Sequence, residues 1–506
     1  MAENSVKELA SQLSKAGIFV ASDVDLSPLG TVDVNIIVSK AIEKFKDYSG
    51  IKILSNEDIK KILDEIAIEG SKVPQSAETQ IEVIRKSDFN PPAKEIEASY
   101  SISAKGIERS DGTVDSFVGY FRSRLEQLKR VIESRSSLNG LLRSIEELKN
   151  YMDGREIAIV GIVSDKIGTK AGNIMVLLED ETGTAKVIFS KNSFGSSNLF
   201  ESAEHIIKDE VIAVKGKIAG AFVIAKEIIW PDVPIKERKL TKESVAIAFV
   251  SDVHVGSKLF MEDSFIHFIK WLNGGVQGRK DLAGKIKYII MNGDLGDGIG
   301  IYPNQDRDLA IQDVFLQYKR LMEFISMIPD YIHVFVLPGN HDAVQRAEPQ
   351  PEFGEEIIGD YKLDNVHMLQ NPSSLTLHGI NVLAYHGTSL DSIIGAIPGM
   401  SYANPEKAMI EVLKRRHLSP IYGGNIIVPG KVDRLTITNV PDILTMGHIH
   451  KNGIANYHGV DIVNSGTWQA RTEFQVRQGH IPTPCLLPVY EADKGTFSQI
   501  DFNMEI

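Results

Sequence analysis

Five times after residue 244 a short run of apolar, largely β-branched residues breaks off directly into Asp, His or Asn, and this recurrence constrains the fold more than any other feature of the chain. Val245 to Val250 (VAIAFV) runs into Ser251-Asp252-Val253-His254, and the same happens in IKYIIMNGDLGDG, IHVFVLPGNHD, INVLAYHG and DILTMGHIH. Apolar runs without alternation read as strands buried on both faces, the kind found in α/β layers. Helical periodicity falls between them in EDSFIHFIKWLNGG, RDLAIQDVFLQYKRLMEFISMI and PEKAMIEVLKRR. Strands that each release a polar residue at their C-terminal end place those residues along one sheet edge, where open α/β sheets hold ligands.

The residues delivered there are of metal-binding type. With the strand ends read as extended, residues i and i+2 point the same way, so Asp252 and His254 face one site, as do His448 and His450. Gly293, Gly339 and Gly447 stand before Asp294, Asn340 and His448 and relieve crowding where strand turns to loop. Oxygen and imidazole donors without thiolate suit Mn, Fe, Zn or Ni, with Mg also admissible, and a carboxylate placed like Asp294 can bridge two ions. Two such ions, ~3.5 to 4 Å apart, grip a phosphodiester from both sides. His205, His267, His333, His367, His378, His417, His458 and His480 lack this context and read as packed or surface residues. The one cysteine, Cys485, excludes a disulfide framework and a thiolate-rich zinc site, and fits a reducing cytoplasm.

A chain of 506 residues exceeds the ~250 to 300 residues at which single cores stop growing, so several domains are expected. Residues 1–70 read as a small helical domain, with Ser55 capping, Asp58 in the first turn, and Ile59, Ile62, Leu63 and Ile66 on one face. Val6, Leu9 and Leu13 have similar spacing. Residues 71–113 are polar and proline-marked and read as a flexible linker. Residues 114–152 read as a helical connector carrying Phe117, Phe121, Leu125, Leu128 and Val131. Residues 153–235 hold five short strand-type runs, the pattern of a small barrel, and residues 240–506 form the α/β domain. No apolar run reaches the ~18 residues of a membrane span, and the opening MAENSVKELASQ is no signal peptide. The formal net charge of -12 argues against gripping nucleic acid by overall electrostatics, so local patches, metals or a partner must do so.

Residues 245 to about 470 resemble the calcineurin-like metallophosphoesterases, whose five motifs stand here as Asp252-Val253-His254, Gly293-Asp294-Leu295-Gly296-Asp297, Gly339-Asn340-His341-Asp342, His386-Gly387 and Gly447-His448-Ile449-His450. The resemblance implies that Asp252, His254, Asp294 and His450 bind one metal and that Asp294, Asn340, His386 and His448 bind the other. It further implies that His341 is the general acid, with Asp297 holding its imidazole. Protein-phosphatase members carry two arginines where this chain has Gly298 and Pro338, a departure that favours diesters over phosphoproteins. Arg307, Arg346, Lys414, Arg415 and Arg416 are candidates for DNA backbone contact.

The barrel resembles an OB-fold, whose strand-binding aromatics have only Phe189, Phe222 and Trp230 as counterparts. The order helical domain, linker, OB-fold, phosphoesterase is similar to the small subunits of the archaeal family D replicative polymerases, and LKRRHLSPIYGG adds to the likeness. That resemblance implies a 3′ to 5′ proofreading exonuclease in the cytoplasm. A separate large catalytic subunit, single-stranded or primer-template DNA, and replication factors met through the N-terminal domain are the partners it implies. A stand-alone phosphodiesterase and a non-catalytic assembly subunit are the competing readings.

Overall fold

The computed structural model describes residues 89–504 apart from 104–109, 192–196, 277 and 360, together with residues 13, 18–20, 38, 41, 52–56 and 58–62. The chain forms two compact units, Met1–Lys86 and Ser87–Ile506.

In the first unit, β1 (Ile18–Val20) pairs in parallel with β2 (Lys52–Leu54). Residues 58–62 are helical, and Ser55 and Asp58 cap their start reciprocally: Ser55 N–H donates to Asp58 Oδ2 at 2.9 Å and Asp58 N–H to Ser55 Oγ at 3.3 Å. Leu13, Ile18, Leu54, Ile59 and Ile62 are buried. The unit is therefore not purely helical, because the β-branched runs IFV and KIL pair as strands. Val6, Leu9, Leu63 and Ile66 lie outside the described residues.

In the second unit, part of the expected linker is bound structure. The Ala93 N–H donates to the Gly284 carbonyl at 2.9 Å, and β3 (Tyr100–Ser103) pairs antiparallel with β13 (Ser373–Leu377). Proline and polar composition hid this because β3 is an edge strand with exposed side chains, which shows no buried face to read. The connector helix α1 (Val114–Glu133) is capped by Thr113, and ends well before residue 152 at the Ser/Asn/Gly-rich stretch 134–140. Its buried face is Tyr120, Arg124, Leu125, Leu128 and Ile132, one step round from the expected stripe.

The barrel is closed in the order β4 (Glu156–Gly168), β5 (Ile174–Asp180), β6 (Gly183–Phe189), β8 (Phe222–Ile229), β7 (Val211–Ala219), with α2 (Ser197–Glu204) between β6 and β7. Leu125, Leu128 and Ile132 of α1 pack on Ala158, Val160, Val211 and Ala213 of its wall.

The remainder is a four-layer α/β sandwich. One six-stranded sheet runs β12 (Val366–Met368), β11 (His333–Leu337), β10 (Ile286–Asn292), β9 (Ala246–Val250), β18 (Leu486–Glu491), β19 (Thr496–Asp501). The other runs β16 (Asn452–Tyr457), β17 (Val460–Ser465), β15 (Ile443–Met446), β14 (Ile380–Ala384), β13, β3. Their inner faces share one core, with Ile247, Phe249, Ile290 and Phe335 against Leu375, Val382, Ile443 and Val463. Outside the first sheet lie α3 (Glu262–Leu272) and α4 (Val314–Ser326), and outside the second α5 (Leu390–Ala396) and α6 (Pro405–Arg415). β9, β10 and β11 are parallel, as are β14 and β15, so all five motifs emerge where those strands end.

Candidate metal centre

The backbone turns abruptly at each motif. Asp252, His254, Asp294, His448 and His450 have φ of 51°, 53°, 51°, 68° and 57°, the left-handed region that side chains other than Gly, Asn and Asp seldom adopt. Such conformations persist only where the surroundings over-determine them. Here the Asp252 N–H donates to the Gly293 carbonyl at 2.9 Å, the His254 N–H to the Asp294 carbonyl at 3.0 Å, and the Trp468 N–H to the Asp252 carbonyl at 2.9 Å. The i, i+2 expectation holds for Asp252 and His254, which enter one group, and fails for His448 and His450. His448 and His450 enter different groups, as the family resemblance implies, and because all four residues are left-handed rather than extended, strand alternation sets neither outcome. Two glycines make the close approach possible: a Cβ on Gly293 would lie 2.6 Å from Gly339 N, and one on Gly447 1.7 Å from Ser251 Oγ.

The side chains converge in two neighbouring groups. Donor atoms of Asp252, His254 and His450 lie within 4.8 Å of one another, as do those of Asp294, His386 and His448. In the first, His254 Nε2 stands 3.1 Å from His450 Nε2, which is 3.2 Å from Asp252 Oδ1. In the second, His386 Nε2 is 3.3 Å from Asp294 Oδ2 and 3.0 Å from Asn340 Oδ1. His341 stands beside the first group with its Nδ1–H donated to the Asp297 carbonyl at 2.9 Å. The Asp297 carboxylate instead meets His254 Nδ1 at 2.9 Å, so Asp297 holds His341 by its main chain and His254 by its side chain. The sequence motif does not distinguish the two.

Burial alone would drive these carboxylates up and these imidazoles down. Proximity overrides it. Asp294 is held well below the usual carboxylate range by His386 and His341, and Asp252 is lowered by His450. The Asp297 hydrogen bond and charge push His254 up to about 9, and Asp294 pushes His386 up to about 10. His450 remains lowered by burial. The donor set fits divalent cations: Asp252 Oδ1 is buried with no hydrogen bond, two imidazole Nε2 atoms face each other beside it, and all donors are oxygen or nitrogen. Cys485 is buried elsewhere, against Met261.

Residues 245–475 match the calcineurin-like phosphoesterase family. The chain is 40% identical to the DNA polymerase II small subunit of Methanocaldococcus jannaschii, over 84% of this chain and 71% of that protein. It is 37% identical to the one from Pyrococcus horikoshii, over 87% and 73%, and 34% identical to that of Methanothermobacter thermautotrophicus, over 98% and 100%. The chain belongs to the archaeal DNA polymerase II small subunits.

In this small subunit the centre is supported by residues that sequence reading did not single out. Asp391 Oδ2 contacts His448 Nε2 at 2.9 Å, and Gln475 Nε2 contacts His450 Nδ1 at 2.9 Å. Neither lies in a motif, and no local pattern marks them. Asp342 was visible as the last residue of GNHD. Its carboxylate accepts from the N–H groups of Leu295, Gly296 and Gly339 and from the Tyr318 hydroxyl, tying the second motif to the third.

Two candidate DNA contacts, Arg415 and Arg416, are corrected by their burial. Arg415 is buried in an ion pair with Glu210, 2.5 Å away, and Arg416 donates to the Ile437 and Thr438 carbonyls at 2.8 and 2.6 Å. Lys414 lies over the Trp230 ring at 4.0 Å. A helix that reads as basic is here a domain junction. Arg307 and Arg346 are exposed. On the barrel, Phe189 is fully buried and Trp230 is buried with its N–H on Glu210, which leaves Phe222 as the exposed ring of the three.

Proposed function

We propose that this chain is the 3′ to 5′ proofreading exonuclease of a two-subunit replicative DNA polymerase and hydrolyses DNA phosphodiesters with two divalent cations. The observation that carries it is the pair of adjoining donor groups, Asp252/His254/His450 and Asp294/His386/His448, in a polymerase small subunit. Asp252, His254 and His450 would hold one cation and Asn340, His386 and His448 the other, with the Asp294 carboxylate available to them. When bound, the cations neutralise charge at phosphorus and acidify the attacking water. Mn is the foremost candidate among Mn, Fe, Zn, Ni and Mg.

The protein's own groups do the rest. His341, fixed through Nδ1 on the Asp297 carbonyl, keeps Nε2 for giving a proton to the departing oxygen. A Cβ on Gly298 would lie 2.2 Å from the His341 carbonyl, so no arginine fits there to grip a monoester dianion, in accord with a diester substrate. Polymerisation falls to a large subunit, which also supplies much of the grip on primer-template DNA. The N-terminal unit recruits other replication factors in the cytoplasm. The complete donor set favours this reading over a non-catalytic assembly subunit.

With Mn²⁺ the purified chain is expected to shorten single-stranded or mismatched 3′ ends, and His450→Ala or Asn340→Ala to abolish this. Absence of metal-dependent nuclease activity, with and without the large subunit, overturns the enzymatic reading. Failure to retain a second protein in pull-down from its source overturns the two-subunit holoenzyme reading.

A further inference from the structure

We infer that the Tyr302 ring is the stacking platform for the base on the leaving-oxygen side of the scissile bond, an inference that rests on the nuclease reading above. Tyr302 is 41% exposed, and its ring centroid stands 6.5 Å from that of His341. Its hydroxyl donates to Asp308 Oδ2 at 3.1 Å, which anchors the ring by its far end. Gln305 ties the ring's loop to the centre: its Oε1 accepts from the Ile301 N–H at 2.9 Å, and its Nε2 donates to the Asp297 carbonyl at 2.8 Å and carboxylate at 2.9 Å. The residue that positions Asp297, and through it His341, thus also positions Tyr302.

In hydrolysis the phosphorus–oxygen bond to the leaving sugar breaks, water supplies the new oxygen, and His341 protonates the one that departs. The sugar bearing that oxygen therefore stands at His341, with its base in reach of the adjacent ring. Such a base is available only when it is unstacked from a duplex. Stacking on an aromatic ring is indifferent to base identity, as an editing site requires. Exposed Lys258 and Arg307 adjoin the same loop: the Lys258 N–H donates to the Asp308 carbonyl at 2.9 Å and its Nζ to the Arg307 carbonyl at 2.8 Å. Positive charge for phosphates thus lies beside the ring in a chain of net charge -12. Asp306 and Asp308 share this loop, the latter engaged by the Tyr302 hydroxyl.

The test is binding of the full-length chain, with Mn²⁺, to a short labelled single strand whose scissile linkage is a phosphorothioate. The penultimate nucleotide carries either 2-aminopurine or an abasic sugar. Tyr302→Leu is expected to weaken binding of the aminopurine strand by about tenfold and to relieve its fluorescence quenching, with the abasic strand unaffected. Tyr302→Phe is expected to behave as wild type. If wild type binds both strands but Tyr302→Leu weakens them equally, or neither, the platform is overturned and the nuclease reading stands. A loss in Tyr302→Phe as large as in Tyr302→Leu assigns the effect to the Asp308 bond and also overturns the ring's role. A wild type that binds neither strand and shortens no DNA removes the nuclease reading and the platform together.

Discussion

Asp391 Oδ2 lies 2.9 Å from His448 Nε2, so the orientation of a candidate metal-binding imidazole is set by a carboxylate on α5, outside every motif. Burial would raise the Asp391 carboxyl, but the His448 imidazole holds it below the usual range. Tyr402 also lowers the Asp391 carboxyl, and its ring stacks on His480 with centroids 4.0 Å apart.

Replacing Asp391 by Asn keeps the shape and removes the charge. Loss of such a supporting carboxylate typically costs about 10- to 100-fold in metal affinity. A Mn²⁺ titration of Asp391→Asn followed by electron paramagnetic resonance should show one of two sites weakened and the other intact. Equal weakening of both sites counts against the division of His448 and His450 between two groups.

Cation binding should stabilise the fold, since buried carboxylates and imidazoles gain a common partner. A cation at a hundred times its Kd adds about 2.7 kcal/mol. Differential scanning calorimetry with Mn²⁺ and with chelator is expected to show a rise in Tm of a few degrees, and His450→Ala should reduce that rise.

Arg124 joins the connector helix, barrel and phosphoesterase domain at one guanidinium. It is 1% exposed, and donates from Nε to Asp433 Oδ2 at 2.8 Å and from Nη1 to the carbonyls of Asp209 at 3.0 Å and Pro420 at 2.7 Å. His417 Nε2 meets the same Asp433 oxygen at 2.8 Å. Breaking a buried pair strands the remaining charge, so Asp433→Ala should cost about 3 to 5 kcal/mol in denaturant unfolding, and Arg124→Met with Asp433→Leu together much less. A cost in the double variant equal to that of Asp433→Ala would show that the stranded charge is not the cause.

The strand β3 is clamped by neutral histidines. The Tyr100 ring lies 4.9 Å from His333 and 4.8 Å from His367, and Tyr288, which accepts from the Ser99 N–H at 2.9 Å, contacts His378 Nδ1 at 2.7 Å. Burial, with His367 and Lys287 nearby, pushes His333 down to about 4, and burial lowers His367 and His378. For His378 the charges of Glu243 and Lys287 oppose one another. Between the ordinary value of 6.5 and about 4, the detached state takes up protons that the packed state refuses. Pairing of β3 must therefore weaken as pH falls through that window. Hydrogen exchange at Tyr100–Ser103, corrected for intrinsic rates, should rise there while that of β9 does not.

Much of the sandwich was legible because its signal is local. Runs such as VAIAFV are apolar throughout since β9 is buried on both faces, and the residue at each run's end arrives at the sheet edge whatever the rest of the chain does. The barrel was legible as five short runs, whereas the helical run read from Arg307 becomes α4 only at Val314, where Asp313 caps it. β3 was not, because an exposed edge strand carries no periodic burial. Arg415 was misread because a cation on a helix looks the same in sequence whether water or Glu210 faces it.

Apolar runs ending in polar residues mark Asp252, His254, Asp294, Asn340, His341, His386, His448 and His450 in the sequence, and the family resemblance supplies their expected roles and their division between two metals. The folded chain adds what no motif carries: Asp297 splits its atoms between His254 and His341, and Asp391 and Gln475 hold the outer rings. Strand alternation sets side-chain direction only while the strand continues. Beyond its end, φ and ψ follow the neighbouring loops, as the left-handed turns at His448 and His450 do, and partners come from segments that no local pattern connects.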